Sequence, residues 1–253
     1  MKFVLATKEQ MEQRFNAEGN AVAVTIVKVD PCVITQIKTE KSDGYNALQV
    51  ASGSKLKNVS KPLVGHFKKA TNSDSGFKKV AEVRVDNPQD YSAGQVIDIA
   101  SFIVGEEVKV TGISKGKGFQ GVVRRHKFHG HPATHGHKDQ ERMPGSIGAG
   151  GFQRVIKGMR MAGRMGNEQI TAQGMKIFAV NPENSTIEIA GSVPGHRGTW
   201  LEVYTEGELK IKVMHVDEVK VAEPVVEQKI EDQNIEDKKT EDKVEEINEE
   251  IKA

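Results

Sequence analysis

The sequence predicts a mainly β protein, a barrel or a sandwich, with a small α+β insert, one long basic loop and an acidic C-terminal tail. Short segments rich in Val, Ile and Thr recur along the chain with turn residues between them, which is typical of closely spaced strands. Residues 112–166, called the basic extension below, are instead cationic and rich in glycine. The last 32 residues are rich in Glu, Asp and Lys. One folded β domain with two segments outside its core is therefore expected.

The first predicted strands follow a short polar start. Residues 21–29 and 33–38 are rich in β-branched side chains and lie on either side of an Asp30-Pro31 turn. Residues 45–51 give a third strand. From about residue 52 to residue 80 the pattern loosens into lysines, serines and short apolar groups. A small α+β insert is predicted there.

The later strands surround the basic extension. Strands are predicted over residues 81–86 and 95–100, and residues 107–113 lead directly into the extension. Regular structure resumes over residues 175–180, 186–190, 199–204 and 211–221. Turns containing Pro182 and the Pro194-Gly195 pair separate the last of these strands. Residues 1–221 are therefore interpreted as one β domain interrupted by the insert and the extension.

Charge is distributed unevenly along the chain. Residues 222–253 carry twelve acids and five lysines, a net charge of −7, so that residues 1–221 carry +8 although the whole chain has only +1. A low-complexity segment of this composition is expected to be solvated and disordered. One hypothesis for it is that the acidic tail imitates nucleic acid and shields the basic extension before a partner binds.

The composition excludes several classes of protein. Cys32 is the single cysteine, so an intrachain disulfide is impossible and a reducing compartment fits. The chain has no apolar run of about 18 residues and no signal-peptide pattern at its start. We expect a soluble cytoplasmic protein that does not contact a membrane.

The basic extension predicts binding to a polyanion. Eleven cations stand against two acids, Asp139 and Glu141, which gives the extension a net charge of +9. The cations are Lys115, Lys117, Arg124, Arg125, Lys127, Lys138, Arg142, Arg154, Lys157, Arg160 and Arg164. Thirteen glycines lie among them, and glycine lets the backbone approach phosphates closely. The extension should become ordered on nucleic acid.

A glycine motif in the extension has a second interpretation. Gly116–Gly121 fits the GxGxxG pattern of nucleotide-binding loops, which must be followed at once by an apolar helix. Here Arg124 and Arg125 follow, and the other parts of a kinase are missing. Ser146 lies in a Pro144-Gly145 turn without the register of a nucleophile elbow. No cofactor, small-molecule substrate or catalytic residue is expected.

Histidines form a separate cluster in the extension. Five of the eight histidines lie within twelve positions, namely His126, His129, His131, His135 and His137. Such spacing can hold a transition metal, so a metal-dependent nucleic-acid hydrolase is the alternative function. No cysteine accompanies them, and the nearby cations would repel a divalent ion. Imidazoles that stack on bases or bond to phosphate and ribose, His135 among them, fit better.

Several motifs in and around the extension occur in a fixed order. They are the run Val110–Gly121, then Arg124-Arg125-His126, Thr134-His135-Gly136, Pro144-Gly145-Ser146-Ile147-Gly148, and Lys157-Gly158 followed by the run Met161–Asn167. In order and spacing they resemble the bacterial form of the large-subunit ribosomal protein L-three family. The resemblance extends more weakly from about residue 11 to about residue 202.

The resemblance implies a six-stranded barrel of the translation-protein type and no enzymatic activity. It implies an extension threaded into large-subunit ribosomal RNA toward the peptidyl transferase centre, a role early in subunit assembly, and neighbouring ribosomal proteins as partners. The expected location is the cytoplasmic ribosome. The predicted RNA-binding residues are the eleven cations of the extension together with His135. Arg124, Arg125, Arg160 and Arg164 are the strongest candidates, because guanidinium binds phosphate bidentately and stacks on bases.

Overall fold

A computed structural model describes residues 1–55, 57–71, 76–207, 209 and 211–212. The strands are β1 Lys2–Phe15, β2 Ala21–Lys28, β3 Cys32–Lys38, β4 Ala47–Lys55, β5 Gly76–Arg84, β6 Val96–Ile97, β7 Glu107–Ile113, β8 Phe119–Gln120, β9 Gly163–Arg164, β10 Gln169–Asn181, β11 Thr186–Ala190, β12 Trp200–Thr205 and β13 Ile211–Lys212. The helices are α1 Glu40–Asp43, α2 Lys61–Thr71 and α3 Val122–His126, with 3-10 turns at Pro88–Asp90, Ile99–Ser101 and Lys138–Gln140.

Six strands close into a barrel in the order β1-β12-β7-β10-β11-β2. Every neighbouring pair is antiparallel. At the β7–β12 contact, a side chain at Gly112 would bring its Cβ to 2.6 Å from a methyl group of Leu201, so glycine permits the close approach of the two strands. The prediction of a mainly β fold with a six-stranded barrel is confirmed.

Strands β3 to β6, which lie between β2 and β7 in the sequence, form a second sheet together with β13. Its order is β13-β6-β3-β4-β5. It takes up the strands predicted over residues 33–38, 45–51, 81–86 and 95–100, which sequence analysis did not separate from the barrel. Helix α2 lies within the predicted insert and packs against β3 and β5. The predicted insert therefore contains α2 and the adjoining parts of β4 and β5 in the second sheet.

The chain start, interpreted above only as a short polar segment before the first predicted strands, forms a long strand. β1 is the longest strand, at 14 residues, and pairs with both β2 and β12. The residues of its first half are mostly buried, whereas those of its second half are exposed or partly buried. The second half lacks β-branched side chains, so only cross-strand pairing makes it a strand. Sequence pattern alone could not detect that pairing.

The barrel and the second sheet share one apolar core. Leu5 and Leu201 of the barrel and Ile34 and Leu48 of the second sheet belong to the same buried cluster. Cys32 lies at the junction, where its sulfur accepts a hydrogen bond from the Leu5 amide at 3.3 Å. Burial raises the pKa of the Cys32 thiol to about 11. This thiol is consequently a packing group rather than a nucleophile.

Two predictions concern the C-terminal part of the chain. Of the strand predicted over residues 211–221, the structure describes only the first two residues, which form β13. The acidic tail 222–253 lies outside the described residues. Among the described residues, no helix is long and apolar enough to cross a membrane.

Candidate nucleic-acid interface

The basic extension leaves the barrel at the end of β7 and returns at the start of β10. Gly112 and Ile113 still belong to β7, and their partners on β10 are Ile170 and Gln169. Because β7 and β10 are neighbouring strands, the two arms of the extension start side by side. The barrel therefore fixes where the extension begins and the direction in which it leaves.

The two arms form a paired neck, residues 114–120 and 163–168. The Ser114 amide donates to Glu168 O at 2.9 Å, and the Lys117 amide donates to Met165 O at 2.9 Å. Strands β8 and β9 continue the pairing. Gly166 has a φ of +74°, and a Cβ there would lie 2.2 Å from Lys115 O, so the neck requires glycine at this position. Backbone bonding thus fixes the root of the extension.

Arg125 holds the next part of the extension together. It lies on α3, and its Nη1 donates to Met161 O at 2.9 Å. Nε2 of His126 contacts the same oxygen at 3.1 Å. Gly163 leaves room for the guanidinium, since a Cβ there would come within 2.5 Å of Arg125 Nη1. Arg125 therefore has a structural contact besides its predicted RNA contact.

The distal segment, residues 138–162, has no core of its own. Each of its 25 residues is exposed, including the large apolar side chains of Phe152 at 65% and Ile156 at 56%. Backbone bonds inside the segment span three residues, such as that from the Phe152 amide to Ala149 O at 3.2 Å. Its bonds to distant residues of the described chain lie at Glu141, which accepts from the His131 amide at 2.9 Å, and at Met161. These few bonds compensate little for the loss of conformational freedom on fixing 25 exposed residues.

The cations of the extension lie almost entirely on the surface and have no acidic partner among the described residues. Ten of the eleven are exposed, and Arg125 is partly buried. Within the described part of the chain none of them forms an ion pair; the ion pairs lie elsewhere, as between Lys2 and Glu106 at 2.8 Å. Such a surface holds a strong positive potential that attracts polyanions. All twelve predicted RNA-binding residues lie on this surface, His135 included.

The histidine cluster does not assemble into a metal site. The rings of His131 and His137 stack at 5.2 Å between centroids, while His126 faces Met161 O. In the described residues, no three or more His, Cys, Asp or Glu side chains form a group that could hold a metal ion. The hydrolase alternative requires such a group and gains no support from this geometry.

The glycine motif is part of the neck rather than a phosphate loop. Phe119 and Gln120 of the motif form β8, and the five-residue helix α3 follows with Arg124 and Arg125 in it. A dinucleotide site uses a longer apolar helix packed on a sheet. The nucleotide-pocket interpretation therefore finds no matching structure here.

A buried lysine, Lys8, lies at the root of the extension and was not predicted from the sequence. The Lys8 ammonium donates to Val193 O at 2.9 Å and to Gly195 O at 3.2 Å. Burial lowers its pKa, and the nearby charge of Lys115 adds to that effect. Lys8 thus holds the turn beside the neck. In the sequence this lysine closely follows the apolar run Phe3-Val4-Leu5-Ala6. Its burial could be recognised only from the position of β1 in the barrel.

Comparison with known proteins gives consistent matches. A statistical model of the family described as "Ribosomal protein L3" matches residues 74–193. The "Large ribosomal subunit protein uL3" of Carboxydothermus hydrogenoformans is 46% identical over 201 residues, which cover 79% of this chain and 95% of that protein. That of Acidothermus cellulolyticus is 42% identical over 212 residues, covering 83% and 95%. The "Large ribosomal subunit protein uL3c" of Emiliania huxleyi is 44% identical over 194 residues, covering 76% and 92%.

Proposed function

Because this chain belongs to the ribosomal protein L3 family, we propose that it binds large-subunit ribosomal RNA through its basic extension. As a member of that family it is a structural constituent of the large ribosomal subunit. The barrel would dock on the RNA surface while the extension runs inward between RNA helices. Large-subunit ribosomal RNA and neighbouring ribosomal proteins are the proposed partners.

One observation carries the proposal: every residue of the distal segment 138–162 is exposed, and the segment carries five cations against two acids. A chain with no core and no internal ion pairs has to obtain its ordering energy from a partner. Phosphates supply it by releasing counterions when cations replace them. The exposed rings of Phe119 and Phe152 add surfaces on which bases can stack.

The division of the chain follows the same proposal. Residues 1–221 form the RNA-binding β domain, with the insert at about 52–80 and the extension at 112–166, and residues 222–253 form a separate acidic tail.

The order of motifs in the extension supports two finer roles. We propose that the protein binds early in subunit assembly and that the distal segment approaches the peptidyl transferase centre. Both roles depend on RNA binding by the extension.

A deletion tests RNA binding by the extension. Gln120 lies opposite Gly163 in the neck, so residues 121–162 can be replaced by an Asn-Gly turn without disturbing the barrel. Eight of the eleven cations are removed, and Lys115, Lys117 and Arg164 remain. Binding to deproteinised large-subunit ribosomal RNA is measured across a salt series. If about six cations meet phosphates, the wild type weakens on the order of a thousandfold over a fourfold rise in salt.

The deletion should remove most of that salt dependence while the barrel unfolds at the wild-type temperature. A full-length control replaces seven exposed cations by Gln and retains Arg125, whose contact with Met161 O is structural. The seven are Arg124, Lys127, Lys138, Arg142, Arg154, Lys157 and Arg160. Loss of salt dependence in this control assigns the effect to charge rather than length. Unchanged affinity and unchanged salt dependence in the deletion variant would refute the proposal.

A further inference from the structure

A second concentration of positive charge lies in the insert. Residues 52–80 contain seven lysines and one acid, Asp74, which gives a net charge of +6. The lysines are Lys55, Lys57, Lys61, Lys68, Lys69, Lys78 and Lys79. With +9 on the extension, the remainder of residues 1–221 carries −7. Positive charge is therefore gathered in two regions of a domain that is otherwise acidic.

Helix α2 presents part of this charge in one row. Lys61, Gly65 and Lys69 are spaced by four residues, which places them above one another on one helix face, and all three are exposed. The two lysines are about 12 Å apart along the axis. A Cβ built at Gly65 meets no atom within 4 Å, so the surface between the lysines is open. The row forms a shallow notch flanked by two ammonium groups.

Packing on the opposite face fixes the orientation of this row. Phe67 is buried and meets the ring of Phe77 edge-on at 5.1 Å between centroids. Nε2 of His66 contacts the side-chain oxygen of Gln49 at 2.7 Å. These contacts attach α2 to the second sheet. The row of Lys61 and Lys69 is consequently preformed, in contrast to the distal segment of the extension.

The loop before α2 adds two more lysines. Lys55 ends β4, and Lys57 follows two residues later; both are exposed. Val59 anchors this loop, since a Cβ at Gly76 would lie 2.7 Å from a Val59 methyl group. Among the ion pairs of the described residues, the insert contributes Lys79 with Glu202 at 3.6 Å, and none involves Lys55, Lys57, Lys61 or Lys69.

We propose that Lys55, Lys57, Lys61 and Lys69, called the insert surface, bind the phosphate backbone of ribosomal RNA independently of the extension. This proposal rests on the proposed function for the identity of the polyanion and adds a second site to it. Lysine ammonium groups bind phosphate as point charges, and the open surface at Gly65 lets a backbone come close to the helix. A preformed surface binds without the cost of ordering a segment.

RNA fits the insert surface better than a membrane does. A membrane-binding helix places large apolar residues beside its cations, whereas the central position of this row is a glycine. An acidic protein is the other polyanion that could bind here. It is distinguished by experiment, because it would leave the affinity for naked RNA unchanged.

The first test removes charge from the insert surface of the full chain. The variant K55Q/K57Q/K61Q/K69Q keeps most of each aliphatic stem and leaves Lys68, which makes another contact, unchanged. Its control, K28Q/K41Q/K109Q/K176Q, removes four exposed lysines from other parts of the domain. Affinity for deproteinised large-subunit ribosomal RNA is measured across a salt series. The insert variant should lower the slope of log Kd against log salt by about 3, and the control by less than about 1.

The second test adds a charge without removing a contact. Gly65→Glu places a carboxylate between Lys61 and Lys69, and Gly65→Gln is its neutral control of nearly equal size. Both changes suit a helix interior, so folding should be preserved or improved. Gly65→Glu should weaken RNA binding about tenfold more than Gly65→Gln does. Equal affinities of the two variants would overturn the proposal, because the added charge would then meet no phosphate.

Pairing these variants with the extension deletion separates the two proposals. Independent sites predict that the losses in log Kd add when both regions are changed. If the deletion removes salt dependence while the insert variant matches its control, the insert surface is refuted and the extension stands. If the insert variant binds naked RNA normally but loses a ribosomal protein partner, the surface binds protein and the proposal is wrong. If the insert variant alone lowers the slope, the insert surface stands and the proposed role of the extension fails.

Discussion

The barrel and the basic extension distribute apolar and charged residues in opposite ways. In the barrel, Leu5, Ile187 and Leu201 are fully buried, and each such side chain contributes about 1.5–3 kcal/mol by leaving water. In the extension, residues 138–162 are all exposed. The barrel therefore contains the source of its own stability. Under the proposed function, the extension obtains its ordering energy from RNA.

The same comparison holds for charge. Cations of the β domain meet acids, as Lys38 meets Glu82 at 2.6 Å and Arg14 meets Glu188 at 3.2 Å. Cations of the extension have no such partners in the described part of the chain. Internal ion pairs would compete with RNA phosphates for these groups, so their absence leaves the cations available for binding. Substitutions in the two regions should consequently change different measurements.

The largest expected effect is on the barrel core. Leu201→Ala removes a fully buried side chain that packs against Gly112, and it should lower the free energy of unfolding by about 2–5 kcal/mol. Ile147→Ala in the extension removes a half-exposed side chain and should change it by less than about 0.5 kcal/mol. Urea unfolding followed by circular dichroism measures both. Equal losses would mean that the extension also has a core.

A smaller effect is expected at the neck, where the two regions join. Gly166→Ala forces a Cβ against Lys115 O at a positive φ and should cost about 1–3 kcal/mol locally. The amides of Lys117 and Met165, which bond across the neck, should exchange at least about tenfold faster with deuterium. Gly151→Ala meets no atom within 4 Å and serves as the control. Unchanged protection in the Gly166 variant would show that the neck is not held by this geometry.

A single exposed arginine should change binding and leave stability alone. Arg160→Gln should weaken RNA binding by about 1 kcal/mol, roughly fivefold, and lower the salt slope by about 1. The midpoint of thermal unfolding should not move, because Arg160 is exposed and has no ion-pair partner among the described residues. Lys176→Gln removes an exposed barrel cation for comparison. A fall in stability with unchanged affinity would reverse the roles assigned to the two regions.

The smallest effect is a pH dependence in the second sheet. A hydrogen bond from Lys38, then one from Tyr45, lowers the pKa of Glu82. The folded state therefore gains stability from the carboxylate above the unfolded pKa of about 4.3, and loses it as pH falls through the lower folded pKa. Glu82→Gln should be slightly less stable than wild type at pH 7, with the difference vanishing in acid. Thermal unfolding across pH measures this, and Glu183→Gln, at an exposed turn, is the control. A difference that persists in acid would exclude this ionisation as its cause.

The sequence predicts those parts of the fold that local chemistry determines. β2, β3 and β11 are rich in β-branched residues, and their predicted bounds lie within about one residue of the observed ones. The second half of β1 has no such signal and becomes a strand only by pairing with β2, whereas the first half also pairs with the distant β12. The second sheet likewise joins β13 to β6 across more than a hundred residues. Pairing between strands so far apart in the sequence leaves no local pattern from which it could be predicted.

The candidate interface, too, could be predicted from the sequence only in part. Its cations are evident from composition, since a net charge of +9 predicts a polyanionic partner. The neck is not evident, because Phe119-Gln120 and Gly163-Arg164 are too short to show strand periodicity. The structural contact of Arg125 with Met161 O depends on that neck. Charge could be predicted from the sequence, whereas the framework that positions it required the structure.

Hydrogen–deuterium exchange with and without RNA tests the contrast between the two regions most directly. In the free protein, amides of residues 142–160 should exchange rapidly while those of β7 and β12 are protected by the barrel. Addition of deproteinised large-subunit ribosomal RNA should protect the extension and leave the barrel strands as they were. Extension amides already protected in the free protein, or still unprotected when RNA is bound, would contradict the account.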